Sequence, residues 1–166
     1  MKSNALLLER GLGMEMKSTL EVVNEKEIDS HAGVTDDQTI QPLVGHPERP
    51  TDRLRIVLAT FEPNTLEKLH WHPIEAFYYV ISGRANVRDF EGKEYDVGPG
   101  TSIYAPPGIA SAHEWEVKET LQLIAVRGTN DPTKNMPFTV EKDTKRSYIN
   151  LDELMRREGG RFKSHY

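Results

Sequence analysis

The sequence predicts an all-β sandwich or barrel with an extended N-terminal arm and a short C-terminal helix. Short runs of β-branched, apolar and aromatic residues recur at a spacing of about 8–12 residues, and turns containing Gly or Pro separate them. No helical pattern interrupts these runs between residues 51 and 128, so a parallel sheet built from βαβ units is not expected.

The predicted strands lie in the central part of the chain. Residues 53–61 are rich in β-branched and apolar residues, residues 66–72 alternate, and the later runs are apolar or aromatic. The sequence Glu91-Gly92-Lys93 is typical of a hairpin turn. The other strands are predicted at residues 77–81, 85–90, 101–105, 113–117 and 121–127.

The flanking segments are polar and carry weaker signals. Residues 19–23 are compatible with a strand, and residues 25–31 with a short turn or helix. The sequence Asn130-Asp131-Pro132 marks a turn after the last central strand.

One helix is predicted near the C-terminus. Asn150 is a suitable N-cap, and Glu153 three residues later completes a start that is similar to a capping box. The apolar stripe of this helix consists of Leu151, Leu154 and Met155.

Length and composition exclude several classes of protein. A chain of 166 residues is one ordinary domain long, and we predict a flexible tail at 1–18, a single domain at 19–148 and a C-terminal helix and tail at 149–166. Because the chain has no cysteine, disulfides, zinc–thiolate sites and cysteine nucleophiles are excluded. A net charge of −5 disfavours nucleic acid as a partner.

The hydropathy pattern predicts a cytoplasmic protein without a membrane partner. No apolar run approaches the roughly 18 residues that a membrane span needs. At the N-terminus only residues 5–8 are apolar before Glu9 and Arg10, whereas a secretory signal needs an apolar stretch of about 7–15 residues.

Two histidines in alternate positions are the first candidates for chemistry. In a strand, His70 and His72 share a face, so both imidazoles can converge on one metal ion. Imidazole suits ions such as Zn, Fe and Ni. Taken alone, the pair would favour the interpretation as two partly exposed polar side chains.

A third histidine adds to this pattern. The turn that Pro106 and Gly108 bracket would reverse the chain and lead into the predicted strand at 113–117. His113 and Trp115 share one face of that strand. Because an imidazole in a barrel interior is costly to bury without a partner, a metal ion would explain this placement.

These residues make the sequence similar to the cupin superfamily. The first family motif is Gly, five residues, His-x-His, three or four residues, Glu, six residues and Gly; the second is Gly, five residues, Pro-x-Gly, two residues and His. The positions that match are His70, His72, Gly83, Gly100, Pro106 and Gly108. The resemblance covers the core motifs at residues 53–128 and implies a jelly-roll barrel.

The chain departs from the first motif at two positions. Asn64 replaces the leading glycine, which is a mild change because Asn tolerates the left-handed conformation. Ala76 stands where the acidic ligand is expected, and Glu75 lies one residue earlier. A one-residue slip reverses the face of a strand, so Glu75 can ligate a metal only if a β-bulge restores its direction. Otherwise it is a solvated carboxylate, which is the interpretation that we prefer.

The second motif also departs from the family, because its histidine would fall at Ser111. His113 keeps the same parity but lies two residues further on, which is about 6.6 Å along a strand. We therefore expect a turn that is two residues longer between Gly108 and Ala112, with His113 as the third ligand.

The expected site is one divalent transition metal (Fe, Mn, Ni or Zn) held by His70, His72 and His113, with Glu75 as a further candidate. Three neutral imidazoles leave the ion its full charge and open positions, so it would act as a Lewis acid on an anionic ligand. Some cupin dioxygenases have all-histidine sites, so the resemblance permits this arrangement.

Aromatic and basic residues near these histidines are candidates for substrate contacts. Tyr78 shares parity with Ala76, and we take Tyr78 and Tyr104 as the candidates for acid–base or orienting roles. Lys68 shares parity with the histidines and could meet a substrate carboxylate, but an exposed lysine is the default interpretation. The sequence does not rank three arginines, Arg55, Arg88 and Arg127.

Two functions are compatible with these features. The first is a metal-dependent enzyme on a small organic acid or carbonyl compound, of the dioxygenase (oxidoreductase), decarboxylase/lyase or isomerase type. The alternative is a noncatalytic cupin that binds a small molecule as a sensor or storage module, since the fold serves both. By analogy with single-domain cupins, we expect a homodimer that covers its exposed sheet edges.

Overall fold

The computed structural model describes residues 19–33, 35–45, 51, 53–131 and 134–151. The flexible tail predicted at residues 1–18 and the helix predicted beyond Leu151 lie outside the described residues. The predicted domain boundaries therefore stay predictions.

The described residues form twelve strands and two short 3₁₀ turns. The turns are Glu25–Glu27 and Ile109–Ser111. The strands are β1 His31–Ala32, β2 Gln38–Val44, β3 Arg55–Phe61, β4 Leu66–Trp71, β5 Ala76–Ser82, β6 Ala85–Asp89, β7 Glu94–Val97, β8 Ser102–Ala105, β9 His113–Val117, β10 Leu121–Arg127, β11 Phe138–Val140 and β12 Ser147–Tyr148.

The strands form two antiparallel sheets of six strands each within the described ranges. One sheet has the order β1-β2-β3-β10-β5-β8, and the other has the order β12-β11-β4-β9-β6-β7. Strands that are distant in sequence are neighbours in both sheets, as expected for a jelly roll. The all-β fold class is confirmed.

The core lies between the two sheets. Inward-facing residues alternate with outward-facing ones along β5 and β10, so that Val80, Leu121 and Leu123 are almost completely buried. The bulkiest of the fully buried side chains is Trp115 on β9. Burying this apolar surface stabilises the barrel and positions the side chains at the end of β4 and the start of β9.

The central strands lie where the sequence predicts them, whereas the flanks differ. Residues 19–23 form no strand, which corrects that expectation. The hydrophobic pattern does not predict β1, β2, β7, β11 and β12, because these strands are short or polar. β2 contains Pro42 and lacks a regular apolar alternation. Its strand conformation is stabilised by pairing with β3.

No helical segment in the described part of the chain combines the length and the apolar character that crossing a membrane requires.

Candidate functional site

A β-bulge in β4 decides which side chains face the barrel interior. Glu67 pairs with Trp115 and His70 pairs with His113, so three steps along β4 match only two along β9. The extra residue reverses the alternation between these two pairs. Glu67 and His70 therefore face the interior together, while Lys68 is exposed, in agreement with the default interpretation of this lysine.

The 3₁₀ turn Ile109–Ser111 brings His113 into register. The turn takes up the residues between Gly108 and Ala112, and His113 then begins β9 directly opposite His70. Ser111, where the cupin motif has its histidine, bonds through its hydroxyl to the carbonyl of Gly108 at 2.8 Å. The turn lies in the segment for which the sequence predicts a longer connection.

Three imidazoles meet at one end of the interior. The ring centroids of His70 and His113 are 4.7 Å apart, and those of His70 and His72 are 5.2 Å apart. All three side chains are buried. The structure thus brings together the three histidines that the sequence selected.

Backbone carbonyls orient two of these rings. Nδ1 of His70 donates to the carbonyl of Lys68 at 2.7 Å, and Nδ1 of His113 donates to the carbonyl of Ser111 at 2.9 Å. In a neutral imidazole with Nδ1 protonated, Nε2 carries the lone pair. Both rings therefore present an acceptor nitrogen to the interior.

A chain of hydrogen bonds continues from His113 into the interior. The hydroxyl of Tyr78 donates to Nε2 of His113 at 2.8 Å, and the same oxygen accepts from Nη2 of Arg127 at 3.0 Å. The guanidinium also lies 3.3 Å from Nε2 of His72 and 4.7 Å from the centre of the Tyr78 ring. Arg127 and Tyr78 thus contact two of the three imidazoles.

His113 stays neutral at physiological pH. Its burial, followed by the nearby ring of His70, lowers the pKa of His113 to about 3, and the Arg127 guanidinium acts in the same direction. The carbonyl of Ser111 and the carboxylate of Glu67 oppose the shift without reversing it. A neutral imidazole is the form that binds a metal ion.

The donor chemistry of the three histidines fits a divalent transition metal. Metal-bound imidazoles are typically held by a hydrogen bond from the other ring nitrogen, as His70 and His113 are here. Among the described residues, however, no three His, Asp or Glu side chains already converge as a ligand set. An ion would have to replace the contacts that Tyr78 and Arg127 make with the ring nitrogens.

Two of the predicted site residues lie on the outside of the barrel. The hydroxyl of Tyr104 donates to Oε1 of Glu75 at 2.9 Å, and both side chains are exposed. Ala76, where the cupin motif has its acid, is buried and faces the interior. No bulge turns Glu75 inward, so neither Glu75 nor Tyr104 reaches the histidines.

Two site residues were not selected by the sequence. Oε1 of Glu67 lies 3.9 Å from Nε2 of His70, so Glu67 supplies the carboxylate of this interior. The sequence did not distinguish Arg127 from Arg55 and Arg88 as a site residue. Arg88 lies on the outer face in an ion pair with Glu114. The bulge and the cross-strand register place these residues, and neither leaves a signal in the local sequence.

Comparison with known proteins identifies the central part of the chain. Residues 57–127 match the family model described as Cupin domain. No curated protein matches the chain significantly.

Several solved structures share the fold. The polyketide cyclase RemF from Streptomyces resistomycificus is 21% identical with a TM-score of 0.58, over 65% of this chain and 78% of that chain. A sugar phosphate isomerase of the cupin superfamily from Silicibacter pomeroyi is 17% identical with a TM-score of 0.59, over 79% of this chain and 94% of that chain. The DMSP lyase DddQ from Ruegeria pomeroyi is 17% identical with a TM-score of 0.55, over 74% of this chain and 61% of that chain. At these identities the likeness establishes a shared fold and not a shared reaction.

Proposed function

This chain carries a cupin domain at residues 57–127, and from that premise we propose that it is a metal-dependent enzyme acting on a small organic acid or carbonyl compound. His70, His72 and His113 would hold one divalent transition metal. The observation that carries the proposal is the pair of Nδ1–carbonyl hydrogen bonds, which leave Nε2 of His70 and His113 as inward-facing acceptors.

The bound ion would supply Lewis acidity toward a substrate oxygen. The carboxylate of Glu67 lies beside the histidines. We assign to it the role of acidic metal ligand for which the sequence made Glu75 a candidate. Its negative charge beside His70 offsets part of the positive charge of an ion in a partly buried site. We therefore assign Glu67 to metal binding or to holding a proton near the ion.

Tyr78 is the hydroxyl that we assign to acid–base chemistry. It is buried, donates to His113 and accepts from Arg127. The hydrogen bond from the Arg127 guanidinium holds this hydroxyl beside the histidines, where it could exchange a proton with a substrate. Oxygenase, lyase or decarboxylase, and isomerase chemistry each need such a polar group beside the substrate, and the reactions of the fold relatives do not select among them.

Metal analysis tests this proposal directly. Protein purified without chelators should contain about one equivalent of Fe, Mn, Ni or Zn, and His72→Ala should lose it. His31→Ala is the matched control, because His31 is an exposed histidine on β1. Wild-type protein that stays free of metal after incubation with all four ions, and does not differ from His72→Ala, would contradict the proposal.

The alternative function is a noncatalytic cupin that binds a small molecule. It is favoured by the hydrogen-bond chain itself, because Tyr78 and Arg127 satisfy ring nitrogens of His113 and His72 without an ion. In that case ligand binding would persist in metal-free protein, and turnover would be absent with any of the four ions.

A homodimer is our proposal for the assembly. Phe77, Tyr79 and Ile81 on β5 and Tyr104 on the edge strand β8 form an exposed outer face that a second copy would cover. Sedimentation velocity should show a dimer, and Tyr79→Lys should shift it toward monomer. A monomeric wild type would overturn the proposal, and cytoplasmic location stays a prediction from the sequence.

A further inference from the structure

Arg127 is a partly buried cation that contacts only uncharged groups. It ends β10, and its Nη1 donates to the carbonyl of Val126 at 3.3 Å. Its Nη2 contacts the hydroxyl of Tyr78 and Nε2 of His72. Among the described residues no carboxylate lies within ion-pair distance of this guanidinium. A desolvated guanidinium is ordinarily paired with an anion.

A second arginine lies directly opposite the first. Arg55 pairs with Arg127 across the β3–β10 ladder, and both occupy the inward-facing parity that Val57 and Ala125 follow. Both arginines therefore stand on the inward side of the sheet, at the end where β3 begins and β10 ends.

We propose that Arg127 binds the carboxylate of the substrate, so that the site selects small carboxylic acids over neutral carbonyl compounds of the same size. This inference rests on the proposed function, because it concerns the same interior. The planar fork of a guanidinium matches a carboxylate in bidentate geometry. A carboxylate held there places the group attached to it beside Tyr78 and His72.

A carboxylate fits this interior better than a phosphate. Glu67 already places a negative charge beside His70, and it repels a dianion more strongly than a monoanion. The edge of one guanidinium also matches the two oxygens of a carboxylate, whereas a phosphate has a further oxygen to satisfy.

Calorimetric titration with acetate, pyruvate and acetoacetate, and with the amide of each, tests the inference. At least one acid should bind the wild type more tightly than its amide by about tenfold or more, and Arg127→Gln should remove that preference. Arg127→Lys should retain part of it, because lysine keeps the charge and loses the fork. Arg84→Gln is the matched control, since Arg84 is exposed and paired with Asp96.

The metal content of the same samples separates this inference from the proposed function. Arg127→Gln should keep the metal content of the wild type, whereas His72→Ala should lose it. Acids that bind no better than their amides, an unchanged preference in a folded Arg127→Gln or Arg127→Lys, or phosphate binding more tightly than every acid would overturn the inference. A wild type that binds no metal but prefers the acids would overturn only the proposed function.

Discussion

Glu67 and His70 lie on the same face of β4 although an odd number of residues separates them, and the carboxylate oxygen is 3.9 Å from the imidazole Nε2. A regular strand would place them on opposite faces. The bulge between the pairs Glu67–Trp115 and His70–His113 instead turns both side chains to the same face. The bulge thereby places the carboxylate of Glu67, which precedes the histidines in the sequence, beside them. In this chain Ala76 stands where the cupin motif has its acid.

Glu67→Gln should weaken metal binding by about tenfold or more, as is typical when a group beside the metal ligands loses its charge. The amide keeps the shape of the side chain, so the fold should remain. Competition with a chelator of known affinity measures the change. Glu116→Gln on β9 is the matched control, because its carboxylate is half-exposed and pairs with Lys118. Equal metal affinity in the two variants would exclude Glu67 from the metal site.

Tyr78→Phe should lower the free energy of unfolding by about 1–3 kcal/mol, because Nε2 of His113 would lose its donor inside the barrel. Urea denaturation of the metal-free protein measures this loss. Tyr79→Phe provides the comparison, since Tyr79 is 44% exposed on the outer face. It should change stability by less than about 0.5 kcal/mol. Similar losses in both variants would mean that the Tyr78–His113 hydrogen bond contributes nothing specific.

Asn64 has a φ of 70°, in the left-handed region that the sequence expected at this turn. Its backbone N–H donates to the carbonyl of Val117 at 2.9 Å, so the conformation is held by β9. Asn64→Ala should destabilise the protein by about 1 kcal/mol, because a Cβ without a polar side chain is disfavoured there. Asn64→Gly should be close to neutral. If thermal or urea denaturation gives the same stability for Asn64→Ala and Asn64→Gly, the left-handed conformation at this position causes no strain.

Gly83→Ala should be strongly destabilising, by about 3 kcal/mol or more. Gly83 has a φ of 79°, and an added Cβ would lie 2.1 Å from the carbonyl oxygen of Thr120. Gly92→Ala isolates the conformational part, because Gly92 has a φ of 94° with open space around it. It should cost about 1–2 kcal/mol. If both substitutions lower the free energy of unfolding by the same amount in urea denaturation, the close approach of Gly83 to Thr120 does not add to the destabilisation.

The fold was largely predictable because central strands carry their signal locally. β9 and β10 have the bounds that alternation and turn residues predict, and His113 at the start of β9 has the same inward parity as Trp115. The polar strand β2 was missed because its strand character comes from pairing with β3, and a partner strand leaves no periodicity in the sequence.

The sequence alone determined which positions along the central strands are hydrophobic and which are polar. This alternation also determined that His70, His72 and Tyr78 point inward. Side-chain parity within a regular strand is a local property, so a single sequence contains it. Only the tertiary structure decided that Glu67, and not Glu75, lies near the histidines, and that Arg127 is the one of the unranked arginines Arg88 and Arg127 that contacts them. A bulge and a cross-strand register both arise from the partner strand, which lies far away in the sequence.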